Sequence, residues 1–180
     1  MSVCYPETIL NQGPGKPSMQ HLTPLNSKEI KNLREGLQQQ FDYALEEDYA
    51  YLQNEKNRIF LINKDLTKIK LENLYIDKIG LYFAEVYNHQ VRLSKEGAQL
   101  LAREAGKNKK KLSKVVSLSE EELKRYFQGV DLNKDLDQEL GAESKLIFLQ
   151  YNKDILGCAR YKEKKILNFM PKIHRGEVII

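Results

Sequence analysis

Apolar side chains recur along this chain in two rhythms, and the switches between them mark its elements. Ile30, Leu33, Leu37 and Phe41 fall three or four residues apart, which is the period of an amphipathic helix. Asn26 and Glu29 form a capping pair just ahead of them, so the spacing predicts a helix over 27–41. Tyr49 to Gln53 and Arg58 to Asn63 are then rich in β-formers and are separated by the polar Asn54-Glu55-Lys56-Asn57, the pattern of a hairpin. A short helical or turn segment near Asp65 to Lys70 leads into a strand over Ile79 to Tyr87. Asn88-His89 turns that strand towards another over Gln90 to Leu93. Ser94 is placed to cap a helix that runs through about Ala105 and is ended by Gly106.

Lys107-Asn108-Lys109-Lys110-Lys111 with Lys114 cannot bury its charges, so a solvated loop is expected there, at a boundary between two small domains. Beyond it Val115-Val116-Ser117 reads as a short strand. Ser119 and Glu122 make a second capping box for a helix of about ten residues, which carries Leu123, Tyr126 and Phe127 and is stopped by Gly129. An acidic connection from Asp131 to Glu143 precedes three closely spaced β segments, Leu146 to Tyr151, Asp154 to Tyr161 and Lys165 to Phe169. Their turns are Asn152-Lys153 and Lys162-Glu163-Lys164. This spacing suits a compact antiparallel barrel or sheet, with Val178-Ile179-Ile180 as a closing strand. The expected class is α+β: residues 1–25 a proline-bearing tail or arm, 26–112 a small α/β domain, and 113–180 a β-barrel.

Composition narrows the setting. At 180 residues the chain can bury roughly 70% of its unfolded surface without a cofactor. Cys4 and Cys158 are its only cysteines, which is neither a disulfide framework nor a zinc set and fits a reducing, cytoplasmic location. No apolar run is long enough to cross a membrane, and no basic-then-apolar leader opens the chain. Net charge is +4, unevenly spread: 8 basic against 2 acidic residues over 91–117, 3 against 8 over 119–143, and 8 against 3 over 145–180. Two basic blocks flank an acidic one.

The short strand, the capped helix ending Tyr126-Phe127-Gln128-Gly129-Val130-Asp131-Leu132, and the hairpin with Gly157-Cys158-Ala159 in its second strand resemble a PUA domain. Lys165-Ile166-Leu167-Asn168-Phe169-Met170-Pro171-Lys172 is similar to the PUA-like C-terminal region of the Nol/Nop/Sun (RsmF-type) RNA 5-methylcytosine methyltransferases, a family with free-standing archaeal relatives. Ile79 to Glu85 and Arg92-Leu93-Ser94 are similar to the region that precedes that domain. The resemblance implies a PUA-like barrel and a structured rRNA or tRNA as partner, in ribosome biogenesis or RNA modification. A modifying enzyme or ribosomal protein would be a further partner. It does not extend to catalysis: the family's methyltransferases need a Rossmann-like cofactor domain and a Pro-Cys cysteine, whereas Cys4 precedes Tyr5 and Cys158 precedes Ala159. No cofactor is expected, and the chain is not expected to be an enzyme.

Nucleic-acid binding requires cations that neutralise phosphates, with polar groups beside them. Arg160, Lys162, Lys164, Lys165, Lys172 and Arg175 supply the charge, and Asn168 and His174 could reach base edges or sugar hydroxyls. The plainer reading of such lysines is a solvated face. Lys109, Lys110, Lys111 and Lys114 read equally well as RNA contacts or as an exposed linker, and Asn168 as a base contact or as the cap of a turn. Strand alternation sends Lys165 and Leu167 one way and Ile166 and Asn168 the other. His21, His89 and His174 have no metal-ligand spacing, and Glu120-Glu121-Glu122 is accounted for by the dipole of the helix it opens. The acidic 119–143 segment leaves a second function open, docking of a basic protein or of a catalytic methyltransferase subunit.

Overall fold

A computed structural model describes residues 22–68, 79–87, 90–141 and 143–176. Its first sheet is an antiparallel meander in chain order: β1 (Leu22–Pro24), β2 (Tyr49–Asn54), β3 (Arg58–Asn63), β4 (Leu81–Tyr87) and β5 (Gln90–Leu93). The expected tail therefore ends earlier than residue 25, because Leu22–Pro24 pairs with β2. Pro24 is tolerated there because β1 is an edge strand. Helices α1 (Ser27–Phe41) and α2 (Lys95–Lys107) pack against this sheet. The α1 box is complete: Asn26 Oδ1 accepts from the Glu29 N–H, and Glu29 Oε2 accepts from the Asn26 N–H at 2.7 Å. Helix α2 runs past Gly106, which stays helical, and the left-handed residue that follows is Lys109.

The second sheet, ordered β6-β8-β9-β10-β7, curls into a half-barrel. Its strands are β6 (Val115–Ser117), β7 (Leu132–Asn133), β8 (Lys145–Tyr151), β9 (Asp154–Lys162) and β10 (Lys165–Leu167). All pairings are antiparallel except β6 with β8. Helix α3 (Glu120–Phe127) has the expected Ser119–Glu122 box and is followed by Gly129 at φ 86°, the left-handed position that favours glycine. The acidic connection is more structured than its composition suggested: β7 and a one-turn helix, α4 (Asp137–Leu140), lie within it. The short helical segment expected near Asp65 is a 3-10 helix, Lys64–Lys68; Val178 to Ile180, the expected closing strand, and the Asn88-His89 turn lie outside the described residues, as do residues 1–21 and 69–78.

Two apolar cores meet at β8. Leu33, Leu37 and Phe41 of α1, Tyr51, Ile59, Phe83 and Val91 of the strands, and Ala98 and Leu101 of α2 form the first. Leu146, Phe148 and Cys158 of the second sheet belong to it too, and the Phe41 and Phe148 rings lie 4.7 Å apart. Val116, Tyr126, Leu132, Ile147, Leu149, Tyr161 and Ile166 form the second, inside the half-barrel. Both faces of β8 are thus covered, which is why Leu146-Ile147-Phe148-Leu149 is an unbroken apolar run rather than an alternating one. Helix α2 is held on both sides. A Cβ on Gly97 would stand 1.9 Å from the Phe83 carbonyl oxygen of β4, and Gly157 of β9 faces Lys95. The Lys107–Lys114 segment is anchored rather than free along its length: Lys107 pairs with Glu47, and the Ser113 N–H donates to the Phe41 carbonyl.

Candidate nucleic-acid interface

The β9–β10 hairpin sets the geometry of the basic C-terminal block. Its loop is Glu163-Lys164, both at positive φ (52° and 60°), the conformation of a two-residue turn whose twist matches the strands. Lys162 lies directly opposite Lys165, Tyr161 opposite Ile166, and Arg160 opposite Leu167. Tyr161 and Ile166 are fully buried in the half-barrel, so Arg160, Lys162 and Lys165 share its outer face. Like charges directly across a strand pair repel, which makes this face receptive to an anion. Lys162 has only an exposed partner, Glu163, at 3.0 Å. Among the described residues neither Lys165 nor Arg160 forms an ion pair, and Arg160 Nη2 donates instead to Gln90 Oε1 of β5 at 3.2 Å.

The other expected contacts are dispersed. Lys164 turns to the opposite side of the hairpin and meets Asp135 at 2.7 Å and Asp137 at 3.7 Å. The hydrogen bond and charge of Asp135 raise the Lys164 ammonium above its ordinary pKa, and Lys164 in turn holds Asp135 below its own. Asn168 follows Ile166 inward, as alternation predicts, and its amide is used internally. Nδ2 donates to the carbonyls of Tyr126 at 2.6 Å and Val130 at 3.1 Å, and Oδ1 accepts from the Met170 N–H at 2.8 Å. It is a tie between β10 and the end of α3, and a base edge would have to displace these bonds.

Arg175 lies across Gly129, with Nε donating to the Met170 carbonyl at 3.1 Å, and Lys172 and His174 sit exposed in the short 3-10 helix Lys172–His174. Lys109, Lys110 and Lys111 are exposed. They follow the far end of α2, whose 13 residues span about 20 Å from the end next to β5. Lys114 is half-buried and spends its ammonium on the Gln40 carbonyl. Lys109, Lys110 and Lys111 therefore stand apart from the hairpin row.

Sequence reasoning passed over Arg92. Its neighbours Val91 and Leu93 are buried, so strand alternation alone turns it outward. Only the fold, however, brings its guanidinium 3.9 Å above the ring of Phe169. Cys158, beneath this seam, is fully buried, and desolvation pushes its thiol up to about 12 against weaker opposing influence from Arg92 and Arg160. His21 and His89 lie outside the described residues. Among the described residues, no helix is long and apolar enough to cross a membrane.

The structure is similar to that of a hypothetical protein from the hyperthermophilic archaeon Pyrococcus horikoshii OT3, with a TM-score of 0.49 and 14% identity over 87% of this chain and 90% of that one. A search of curated proteins finds no match. Residues 113–175 match the family described as the methyltransferase RsmF PUA domain. That span holds β6 to β10, α3 and the Asn168 tie. The half-barrel is thus a PUA domain related to that of RsmF-type methyltransferases, and such a domain implies RNA as its partner.

Proposed function

We propose that this chain is a non-catalytic RNA-binding protein that engages structured rRNA or tRNA, in ribosome biogenesis or as an accessory to RNA modification. The observation that carries the reading is the row Arg160, Lys162 and Lys165 on the outer face of the PUA hairpin, where among the described residues the one ion pair is the solvent-exposed Lys162–Glu163, whereas Lys164 is held by Asp135 and Asp137. Phosphates would release counterions from this row, giving affinity that falls with salt. A binding role without catalysis agrees with Cys158, whose buried thiol is held in the unreactive protonated form. A free buried thiol also suits a cytoplasmic protein.

Docking of a basic protein on the acidic 119–143 segment is less well supported. Much of its charge is already met within the chain, Glu120 by Lys124, Glu122 by Lys134, and Asp135 and Asp137 by Lys164.

The test is fluorescence anisotropy of a labelled RNA stem-loop titrated at several salt concentrations. The K162A/K165A double variant should lower the slope of log affinity against log salt by about 2, one for each lost phosphate contact. K164A should leave that slope unchanged. A double variant with the wild-type slope, or a wild-type protein that binds no RNA, would overturn the reading.

A further inference from the structure

The junction between the two sheets carries groups that the hairpin row does not account for. Tyr87 and Gln90 are direct cross-strand partners in β4 and β5, and Arg92 lies two residues beyond Gln90, so the three side chains share one face. Tyr87 is 69% exposed, unusual for so large an aromatic. Arg160 reaches Gln90 from the other sheet, and Phe169, just beyond β10, lies beneath the Arg92 guanidinium with its ring centroid 3.9 Å from Cζ. Glu85 is the cross-strand neighbour of Arg92, yet among the described residues neither Arg92 nor Arg160 forms an ion pair.

This is an unusual expense of charge for a structural seam. Two guanidiniums, one from each sheet, come to this junction, and among the described residues no carboxylate pairs with either. A guanidinium stacked on a ring keeps its edge N–H donors and its second face free, which suits phosphate and the face of a base respectively. An exposed tyrosine on the same face offers a platform to a base that is not already stacked in a duplex. The seam is also continuous with the hairpin row: Arg160 and Lys162 alternate along β9, about 7 Å apart.

We infer that this seam holds a single-stranded stretch of RNA, with Arg92 and Arg160 sharing a phosphate and Tyr87 stacking on an adjoining base. The inference rests on the RNA-binding reading above and extends it: the N-terminal sheet becomes part of the interface, and the stem gripped by the hairpin would be one with an unpaired extension.

The experiment uses the full chain with two probes, fluorescein-labelled decauridine and a fully paired RNA stem. Tyr87→Ala and Arg92→Ala should each weaken decauridine binding about 5- to 30-fold, in the range of one lost base stack or a lost charged contact. Tyr87→Phe should bind as wild type, because the ring is kept. Arg92→Lys should bind decauridine more weakly than wild type, because charge survives while the planar stack does not. All four variants should bind the paired stem within about twofold of wild type.

Wild-type decauridine affinity in both alanine variants would overturn the inference. If K162A/K165A still lost stem binding in that case, the hairpin reading would stand alone. No binding of either probe by the wild type would remove both. Should Arg92→Ala unfold, Tyr87→Ala decides the matter, because so exposed a side chain can be trimmed at little cost to stability.

Discussion

Asn168 offers the sharpest separation of a binding residue from a structural one. In Asn168→Ala three side-chain hydrogen bonds are lost: those to the carbonyls of Tyr126 and Val130, and that from the Met170 N–H. Each is worth about 0.5–1.5 kcal/mol net. Water can reach part of this half-buried site, so the three together should cost about 2–3 kcal/mol. For a chain of this length each kcal/mol shifts Tm by about 2–4 °C, which predicts a fall of about 4–12 °C. Circular dichroism melting measures it. RNA affinity, measured well below the new Tm, should change less than twofold. A variant that melts with the wild type but binds RNA tenfold more weakly would refute the structural assignment and restore Asn168 as a contact. Asp131→Ala supplies a second check, since Asp131 Oδ1 accepts from the Asn168 backbone N–H at 2.7 Å and braces the same corner.

Two further perturbations probe the frame that positions the interface. Gly97→Ala should destabilise the protein by about 2 kcal/mol or more, because the new methyl would be driven into the Phe83 carbonyl and α2 must lift from β4. Helix propensity alone predicts the opposite, a gain of about 1 kcal/mol, so a raised Tm would contradict the close approach. Glu122→Gln tests the cap of α3. Burial tends to raise the Glu122 pKa, but the Ser119 N–H and the Lys134 ammonium outweigh it and hold the carboxyl below its ordinary value. A pKa lower in the folded state than the unfolded value of about 4.3 stabilises the fold above that pH, and the contribution disappears as pH falls through the folded value. Wild type should therefore outlast Glu122→Gln in urea at pH 7, with a smaller gap at pH 3. An equal gap at both would place the effect elsewhere.

The local sequence determined most of the elements. Capping boxes at Asn26 and Ser119 start α1 and α3 because their bonds close within three residues, and the β9–β10 hairpin follows from a polar turn between apolar-alternating runs. The PUA resemblance was legible in residues 113–175 for the same reason, since a short helix stopped at Gly129 and a tight hairpin are local patterns. What the pattern could not set was the fate of each charge. Lys164 and Lys165 are adjacent and chemically identical. One is neutralised by Asp135, 29 residues away, and the other faces solvent, because a two-residue turn sends them to opposite sides. Asn168 and Lys114 were taken up by distant carbonyls, and Arg92 entered the interface only when Phe169, 77 residues later, folded beneath it. Backbone periodicity depends on neighbours a few residues away and can be read along the chain. Whether a cation is free for RNA depends on which carboxylates, carbonyls and rings the tertiary fold brings within a few ångströms of it.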